Sequence, residues 1–412
     1  MPRLRLQQMQ LMDGRPTMSP MSPMSPISPM SPMTEINLAG EGEAIRLRTP
    51  QGVVRITGVR RVEPEEELLL AHLPPLLPGG RALVPLPHGA PALPAVLAAA
   101  GPTGTVEVWE PDLHAARLLR AKLAPLANVR VGCTPDPEPA PAAAAQAGFL
   151  IIRRDSDRLL AFDLLERFSS VLPPASPVWV VLPQRRASDF RPRLIRLLDR
   201  LREVARTREH LLLAGQSLAQ SVWTPRLCHF RASTPKVALE LVSRPGVFCH
   251  GRPDAGGTAL AECVELATGE AVLELGCGGG TTSLLLAAAL RAAGGVPGRL
   301  VLVDSHARAV ACAQANAAAN GFAGQAEVVQ DDAYAPAPAS FDWFLGNPPY
   351  YADQRICDLF LRTAATALRP GGRAAIVSKH GPTVRELAAA HGLRPESSVR
   401  RRGYDVDFLR QP

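Results

Sequence analysis

The stretch Ala271-Val-Leu-Glu274-Leu-Gly276-Cys277-Gly278-Gly-Gly280-Thr281 decides the fold of this 412-residue chain. The apolar residues around Glu274 predict a buried strand, and the residues from Thr281 onward have the periodicity of a helix. Glycines at such a turn let a ligand approach the backbone, and the helix start offers N–H groups to it. The spacing G-x-G-x-G differs from the dinucleotide-binding fingerprint, whose last glycine would stand at Thr281.

Strands and helices alternate on both sides of this turn, which predicts an α/β fold with a mostly parallel, doubly wound sheet. From the turn onward, the pattern predicts strands at 271–275, 299–304, 326–330, 342–345 and 373–378, helices at 281–293, 307–320 and 357–368, and a final antiparallel strand at 400–410. Upstream, the pattern predicts strands at 81–86, 105–110, 128–132, 148–152 and 178–182, and helices at 113–126 and 160–172.

The two α/β regions resemble each other in sequence. The segment VEVWEPDLHAARLLRAKLAPLANVRV, from Val106, parallels LVLVDSHARAVACAQANAAANG, from Leu300, and aligns Glu110 with Asp304 at an offset of 194 residues. We therefore predict an internal duplication, with a first copy at residues 34–234 and a second at 235–412. Residues 1–33 carry Met-Ser-Pro repeats, which cannot bury a core. They predict either a disordered tail or sequence upstream of a true start at Met33.

Composition narrows the class of protein. No stretch approaches the 18 apolar residues of a membrane span, and no secretory signal is recognisable. The seven cysteines are scattered without a CxxC pair, which fits a reducing cytoplasm and indicates no metal site. The net charge is +7, with three lysines and 42 arginines. Arginine binds phosphate well, so a nucleic-acid partner is possible, although a GC-rich genome accounts for much of this bias.

The residues Asn347-Pro348-Pro349-Tyr350 follow the predicted strand at 342–345 and resemble a motif of methyltransferases that modify planar amino groups. An amine conjugated to a ring, or an amide nitrogen, is a poor nucleophile because its lone pair is delocalised. The Asn347 side-chain oxygen and the Pro348 carbonyl can accept its two N–H bonds and stabilise the charge that develops on nitrogen. The prolines hold these acceptors rigidly, and Tyr350 offers a flat surface on which an extruded base can stack.

The glycine turn resembles motif I of the class I S-adenosylmethionine (SAM)-dependent methyltransferases. Asn347-Pro-Pro-Tyr350 resembles the (Asp/Asn)-Pro-Pro-(Tyr/Phe) motif of those members that modify amino groups. The resemblance implies that the turn binds the methionine part of SAM, that Asp304 binds the ribose hydroxyls and that Asp332 with Ala333 binds the adenine. The turn residues so implied are Glu274, Gly276, Cys277, Gly278 and Gly280.

A second segment narrows the resemblance. Arg244-Pro-Gly-Val-Phe248 and Asp254-Ala-Gly-Gly-Thr258 resemble a segment of the ribosomal RNA guanine-N2 methyltransferases, in particular the C-type enzymes that modify small-subunit RNA and the G-type enzymes that modify large-subunit RNA. The resemblance implies two tandem Rossmann-like methyltransferase folds, of which the N-terminal copy is degenerate. It also implies that Phe248, Asp254 and Thr258 help to hold cofactor or substrate, although Phe248 could equally be a core aromatic. Cys249 and Tyr350 depart from the usual Ser and Phe.

The first copy lacks the candidate motifs. Prolines interrupt Leu83-Val-Pro-Leu-Pro-His88-Gly89, where the glycine turn would stand, and Arg153-Arg154-Asp155 replaces the Asn-Pro-Pro-Tyr motif. This copy is predicted to bind no SAM. It would instead hold RNA or support the second copy. Arginines interleaved with apolar residues at 191–208 predict an amphipathic helix and a candidate RNA surface, and Arg400–Arg402 is a weaker candidate.

These observations favour a cytoplasmic N-methyltransferase that uses SAM, needs no metal and acts on guanine N2 of ribosomal RNA, either free or within a ribosomal subunit. Two alternatives keep the fold and change the acceptor to adenine N6 or to a protein glutamine amide. A third alternative is a non-catalytic assembly factor that binds SAM and RNA. A monomer is expected, although no feature of the sequence sets the oligomeric state.

Overall fold

The computed structural model describes residues 33–76, 79–86, 90–138, 146–154, 157–218, 223–349 and 354–412. The Met-Ser-Pro repeats, His88, Gly89, Asp155 and Tyr350 lie outside these ranges. The described chain begins with a three-stranded sheet and a short helix, which are β1 (Met33–Asn37), β2 (Ile45–Thr49), β3 (Gly52–Thr57) and α1 (Pro64–Leu70).

The first half of the chain builds a seven-stranded sheet with helices packed against it. Its strands are β4 (Arg81–Pro85), β5 (Thr105–Trp109), β6 (Val129–Gly132), β7 (Gln146–Ile151), β8 (Pro177–Pro183), β9 (Leu198–Arg206) and β10 (His210–Ser217). Its helices are α2 (Ala92–Ala100), α3 (Leu113–Leu123), α4 (Arg158–Val171) and α5 (Ala187–Leu197). The strand order is β6-β5-β4-β7-β8-β10-β9.

The second half begins with an antiparallel hairpin, β11 (Cys228–Ser233) and β12 (Ala238–Ser243), and helix α6 (Ala255–Cys263). Its sheet contains β13 (Val272–Leu275), β14 (Leu300–Asp304), β15 (Ala326–Gln330), β16 (Phe341–Gly346), β17 (Leu368–Ser378), β18 (Arg394–Arg401) and β19 (Tyr404–Arg410). Its other helices are α7 (Thr281–Ala292), α8 (Ala307–Ala319), α9 (Arg355–Ala367) and α10 (Gly381–Ala390).

The two large sheets have the same topology. The order of the second, β15-β14-β13-β16-β17-β19-β18, repeats that of the first strand for strand. In each sheet the first five strands are parallel and the last two are antiparallel to their neighbours. The predicted fold class, a duplicated doubly wound α/β fold, is therefore confirmed. None of the helices in the described ranges is long and apolar enough to cross a membrane.

Two local predictions are wrong. The stretch 191–208 is not one amphipathic helix, because α5 ends at Leu197 and the chain continues as β9 at the edge of the sheet. Strand β10 forms antiparallel hydrogen bonds with β9, and this pairing outweighs the helical periodicity of the sequence. The final segment forms the hairpin β18–β19 in place of the single predicted strand.

The halves meet through equivalent loops. Asp112, after β5, and His306, after β14, are aligned by the duplication and form an antiparallel bridge. The Leu113 N–H donates to Ser305 O at 3.0 Å, and the Ala307 N–H donates to Pro111 O at 2.8 Å. The copies are thus joined by matching loops at the carboxyl ends of matching strands, which brings the first copy next to the corresponding edge of the second.

A buried ionic cluster reinforces this junction. Arg308 of α8 donates to Asp136 at 2.8 Å, and its other terminal nitrogen lies 2.8 Å from Asp163 of α4. Arg244 forms a two-pronged pair with Asp136 at 2.7 and 2.8 Å. Because an unpaired buried charge is costly, each half supplies the counter-charges that the other requires.

Candidate active site

The glycine turn joins β13 to α7 at the carboxyl edge of the second sheet. Gly276, Gly278 and Gly280 have φ angles of +65°, +54° and +78°, a left-handed conformation that favours glycine. A Cβ added to Gly278 would meet no atom of the described structure within 4 Å, so the backbone there faces open space. Gly280 precedes α7 and has no side chain to cap it. The turn can therefore admit a ligand close to its backbone.

Glu274 ties the strand to the helix that follows the turn. Its Oε2 accepts hydrogen bonds from the Ser283 hydroxyl at 2.5 Å and from the Ser283 N–H at 3.2 Å. Burial raises the pKa of Glu274 to about 7, against the opposing effect of these hydrogen bonds. The carboxyl group lies beneath the turn and supports its shape.

Cys277 contributes to the turn through its backbone. Its N–H donates to Val303 O at 3.0 Å, which ties the turn to β14. Its side chain is buried in the core of the second half, beside α7 and α8. Burial raises the pKa of the thiol well above its usual range, so the structure gives it no nucleophilic character.

Asp304 ends β14 and anchors the glycine turn from the neighbouring strand. Its Oδ2 accepts from the Gly278 N–H and its Oδ1 from the His306 N–H, both at 2.8 Å. Burial raises the pKa of Asp304, and these two backbone hydrogen bonds oppose the shift. Asp304 is thus a carboxylate held at the turn by two backbone donors.

Asp332 and Ala333 follow β15, next along the same edge. The Asp332 side chain is 9% exposed and forms an ion pair with Arg117, while His114 Nδ1 lies 3.1 Å from its Oδ2. Both basic residues belong to α3 of the first half. The Ala333 N–H donates to Asp331 at 3.0 Å. No sequence pattern indicates that Arg117 and His114 reach this point, because they lie more than 200 residues away along the chain.

Asn347 and the two prolines follow β16 directly. Asn347 is half-buried, Pro348 is buried and Pro349 is half-buried, so the segment continues from the core into the site. The Asn347 Nδ2 donates a hydrogen bond to Asp254 Oδ2 at 2.7 Å. Among the described residues, none donates a hydrogen bond to its Oδ1. Tyr350, the predicted stacking surface, lies outside the described residues.

Asp254 is the N-cap of α6 and joins that helix to Asn347. Its Oδ2 also accepts from the Gly257 N–H at 2.7 Å, and the Thr258 hydroxyl donates to its backbone carbonyl at 2.6 Å. Thr258 is buried, so its hydroxyl stabilises the first turn of α6. Its predicted contact with cofactor would require this bond to be shared or exchanged.

The loop before α6 exposes an aromatic ring. The Phe248 side chain is 63% exposed, which excludes the alternative that it is a core aromatic. The next residue, Cys249, has a φ of +54° and its thiol lies 3.5 Å from Asp254 Oδ1. The contact of Cys249 with Asp254 therefore keeps Phe248 near Asp254, the residue that accepts from Asn347.

The sheet order sets these groups in a row. Because β15, β14, β13 and β16 are neighbours, their carboxyl ends present Asp332, then Asp304, then the glycine turn, then Asn347. Along this edge, two carboxylates are followed by the exposed backbone of the glycine turn and then by the side-chain amide of Asn347. Within the described ranges, no group of three His, Cys, Asp or Glu side chains could hold a metal ion.

The same edge of the first sheet is chemically different. Pro85 ends β4, and Arg153 and Arg154 follow β7 at the position that Asn347 and Pro348 occupy after β16. Glu110, which corresponds to Asp304, is buried and accepts from the Asp112 N–H at 3.3 Å. An acid is thus retained after β5, while the amide and prolines after the fourth strand are replaced by arginines.

Known proteins resemble this chain in sequence. The family profile described as the methyltransferase small domain matches residues 238–406. The ribosomal RNA small subunit methyltransferase C of Stutzerimonas stutzeri is 30% identical over 247 residues, which cover 55% of this chain and 72% of that protein. The enzyme of the same name from Pseudomonas aeruginosa is 33% identical over 177 residues, 39% of this chain. That match spans 51%, about half, of the Pseudomonas protein.

A solved structure shows the same fold over most of the chain. It is the 16S rRNA N2 guanine methyltransferase of T. thermophilus in complex with AdoMet and guanosine. The TM-score is 0.68 at 22% identity, and the match covers 90% of this chain and 98% of that one. On the extent of the similarity to the Stutzerimonas protein, and in agreement with the resemblance found in the motifs, this chain belongs to the ribosomal RNA small subunit methyltransferase C family.

Proposed function

We propose that the second half of this protein transfers the methyl group of SAM to an exocyclic amino group, and that the acceptor is guanine N2 of ribosomal RNA. The observation that carries the proposal is the row of groups at one sheet edge, which ends at Asn347. The names of the related proteins support the choice of guanine N2 and of ribosomal RNA.

The residues of the turn fit SAM. The open backbone at Gly278 leaves room for the methionine part, and Asp304 offers carboxylate oxygens to ribose hydroxyls. Asp332 and Ala333 would bind the adenine, and the Ala333 N–H would exchange its bond to Asp331 for one to the base. Glu274, Gly276, Cys277 and Gly280 would shape the turn. When bound, SAM supplies an electrophilic methyl group on a sulfonium ion.

The acceptor amine would be held by Asn347 and Pro348. The Asn347 Oδ1 and the Pro348 carbonyl accept its two N–H bonds, keep its lone pair directed at the methyl donor and stabilise the developing positive charge. Pro348 and Pro349 restrict the backbone so that these acceptors do not turn away. Tyr350 would stack on the base, and no separate general base is required because the methylated ammonium loses its proton readily.

The first half would stabilise the second half and its cofactor site without catalysing the reaction. It supplies Arg117 and His114 to the side of Asp332 and shares the buried ionic cluster around Arg308. Both strands of the hairpin β11–β12 contribute to the core of the second half, so we place the boundary between the halves before Cys228 and not at residue 234. The protein would act as a cytoplasmic monomer on ribosomal RNA, either free or within a ribosomal subunit.

A methyl-transfer assay tests the proposal. RNA and small ribosomal subunits from a strain lacking the protein are incubated with tritiated SAM and either the wild-type protein or the Asn347→Ala variant. The labelled RNA is digested to nucleosides and separated. We expect label on N2-methylguanosine that the variant reduces by about 100-fold or more.

Other outcomes identify the alternatives. Label on N6-methyladenosine would keep the mechanism and change the base. Label on a protein glutamine would move the acceptor from RNA to protein. If SAM binds and neither RNA nor protein is labelled, the protein is a binding or assembly factor.

A further inference from the structure

The orientation of the Asn347 amide matters because its two ends have opposite chemistry. Oδ1 accepts hydrogen bonds and Nδ2 donates them, yet the two ends have nearly the same shape. An amine that must be bound through its own N–H groups requires Oδ1. If the amide turned by 180°, Nδ2 would face the amine, and donor would meet donor.

Asp254 distinguishes the two orientations. Its Oδ2 lies 2.7 Å from Asn347 Nδ2, a charge-assisted hydrogen bond. In the turned amide, Oδ1 would take this place, and two acceptors would meet at hydrogen-bond distance. Because that contact is repulsive, the carboxylate permits only the orientation that leaves Oδ1 free.

The carboxylate is itself held in place. The Gly257 N–H donates to Oδ2 at 2.7 Å, and the Cys249 thiol lies 3.5 Å from Oδ1. Asp254 also caps α6, so its backbone position is fixed by the helix. Asp254 therefore presents Oδ2 to Asn347 from a rigid support.

The first turn of α6 also packs directly against the amide. A Cβ on Gly256 would lie 3.2 Å from Asn347 Oδ1, tighter than an ordinary contact, and 3.4 Å from Nδ2. The glycine lets α6 approach closely enough for Asp254 to reach Asn347. Gly256 in the segment Asp254-Ala-Gly-Gly-Thr258 therefore has a steric explanation.

We propose that Asp254 is a positioning residue, which orients the Asn347 amide so that Oδ1 faces the acceptor amine. This proposal rests on the proposed function, because it assumes that an amine binds at Asn347. It assigns Asp254 to the organisation of the amide, a role distinct from direct contact with cofactor or substrate.

Two variants separate this role from helix capping. Asp254→Ser keeps an N-cap oxygen, but its side chain is shorter and does not reach Asn347 as the carboxylate does. We expect kcat to fall by about 10- to 100-fold, with the KM for SAM and the melting temperature nearly unchanged. Asp254→Ala removes both the cap and the contact, and should lower kcat and the melting temperature together.

An exchange of the two groups provides a rescue test. Asn347→Asp alone places two carboxylates in contact and should lower kcat strongly. Combining it with Asp254→Asn restores a hydrogen bond of reversed direction and leaves a carboxylate oxygen for the amine, at the cost of the bond that the Gly257 N–H makes to Oδ2. We expect the double variant to exceed Asn347→Asp in kcat by about tenfold or more. Wild-type kcat in Asp254→Ser would overturn the proposal, as would a double variant that melts at the temperature of Asn347→Asp and is no better in kcat.

A spectroscopic measurement tests the orientation without activity. The chain has five asparagines, so selective ¹⁵N-Asn labelling yields five side-chain NH₂ signals, and Asn347→Ala assigns the one of interest. We expect this signal to be protected from hydrogen exchange in the wild-type protein and to lose protection in Asp254→Ser. An unprotected wild-type signal would refute the proposal. If wild type labels no acceptor, the proposed function fails separately, while this signal still reports whether Asp254 holds the amide.

Discussion

Arg308 and Asp163 form an ion pair between the two halves of the protein, with an N···O distance of 2.8 Å and both side chains fully buried. Arg308 also donates to the carbonyls of Pro135 and Pro245 at 2.7 and 2.9 Å. Because the contacts of Arg308 with Asp163 and Pro135 join the two halves, the halves depend on each other for stability.

Removing this guanidinium should destabilise the whole protein. We expect Arg308→Met to lower the free energy of unfolding by about 3–5 kcal/mol, because Asp163 is left buried without its partner. Urea denaturation followed by circular dichroism measures this. Arg299→Met, which breaks the exposed pair with Glu327, is the control and should cost about 0–1 kcal/mol. Adding Asp163→Leu to Arg308→Met should recover part of the loss; equal effects of Arg308→Met and Arg299→Met would contradict the burial argument.

Glu274 should make stability depend on pH. Burial raises its pKa from 4.5 to about 7, so the folded protein binds a proton that the unfolded chain releases between these values. The contribution of this proton to the free energy of unfolding is full below pH 4.5 and is lost as the pH rises through about 7. The unfolding free energy of Glu274→Gln relative to wild type should therefore increase by up to about 3 kcal/mol between these two pH values. Urea titrations at several pH values measure this. If the unfolding free energies of wild type and Glu274→Gln change in parallel with pH, the carboxyl has the same pKa in the folded and unfolded states.

Gly278 should be required for cofactor binding because it lacks a side chain, in addition to its role in the backbone conformation of the turn. Gly278→Ala adds a methyl group to a residue with φ +54°, and this methyl group points into the open space beside the turn. We expect a cost of about 1–2 kcal/mol in stability and at least a roughly tenfold higher Kd for SAM by calorimetry. Gly392→Ala is a matched control, since Gly392 has φ +82° and an equally open position after α10. Similar SAM affinity in both variants would place the cofactor elsewhere.

Arg117 should affect cofactor binding from the first half of the chain. Its ion pair holds Asp332, the proposed adenine contact, so Arg117→Ala should raise the Kd for SAM by about two- to fivefold. The effect is expected to be small because the Arg117 side chain is half exposed. Arg120→Ala, on the same helix and bonded to Val131 O, should leave the Kd unchanged. Tighter binding in Arg117→Ala would mean that Arg117 competes with the adenine for Asp332.

Phe248 should contribute to the binding of the acceptor RNA and little to the stability of the protein. Stacking of a base on an aromatic ring is worth about 1–3 kcal/mol, so Phe248→Ala should raise the KM for RNA by about tenfold. Its melting temperature should stay near that of wild type because the ring is exposed. Val296→Ala, an exposed residue after α7, is the control. A large loss of stability in Phe248→Ala would indicate packing that the exposure does not show.

The local patterns of the sequence determined the fold class and the family. The glycine turn, the apolar strands and Asn347-Pro348 were recognisable because strand and helix periodicity, and the spacing of a turn, are set by neighbouring residues. The duplication was recognisable because the two copies keep a constant offset, and the identical order of the two sheets agrees with it. The chain is predicted to end in one strand but forms a hairpin, since a turn at Arg402–Gly403 interrupts it.

Only the tertiary structure decided the contacts between distant segments. Asp254 and Asn347 lie 93 residues apart, and His114 and Asp332 lie 218 apart, so no local pattern relates them. The segment 198–206 became a strand because β10 offered it hydrogen bonds that the helical periodicity could not foresee. Sequence periodicity reports which face of a segment is buried, while the partner on that face depends on how the whole chain packs.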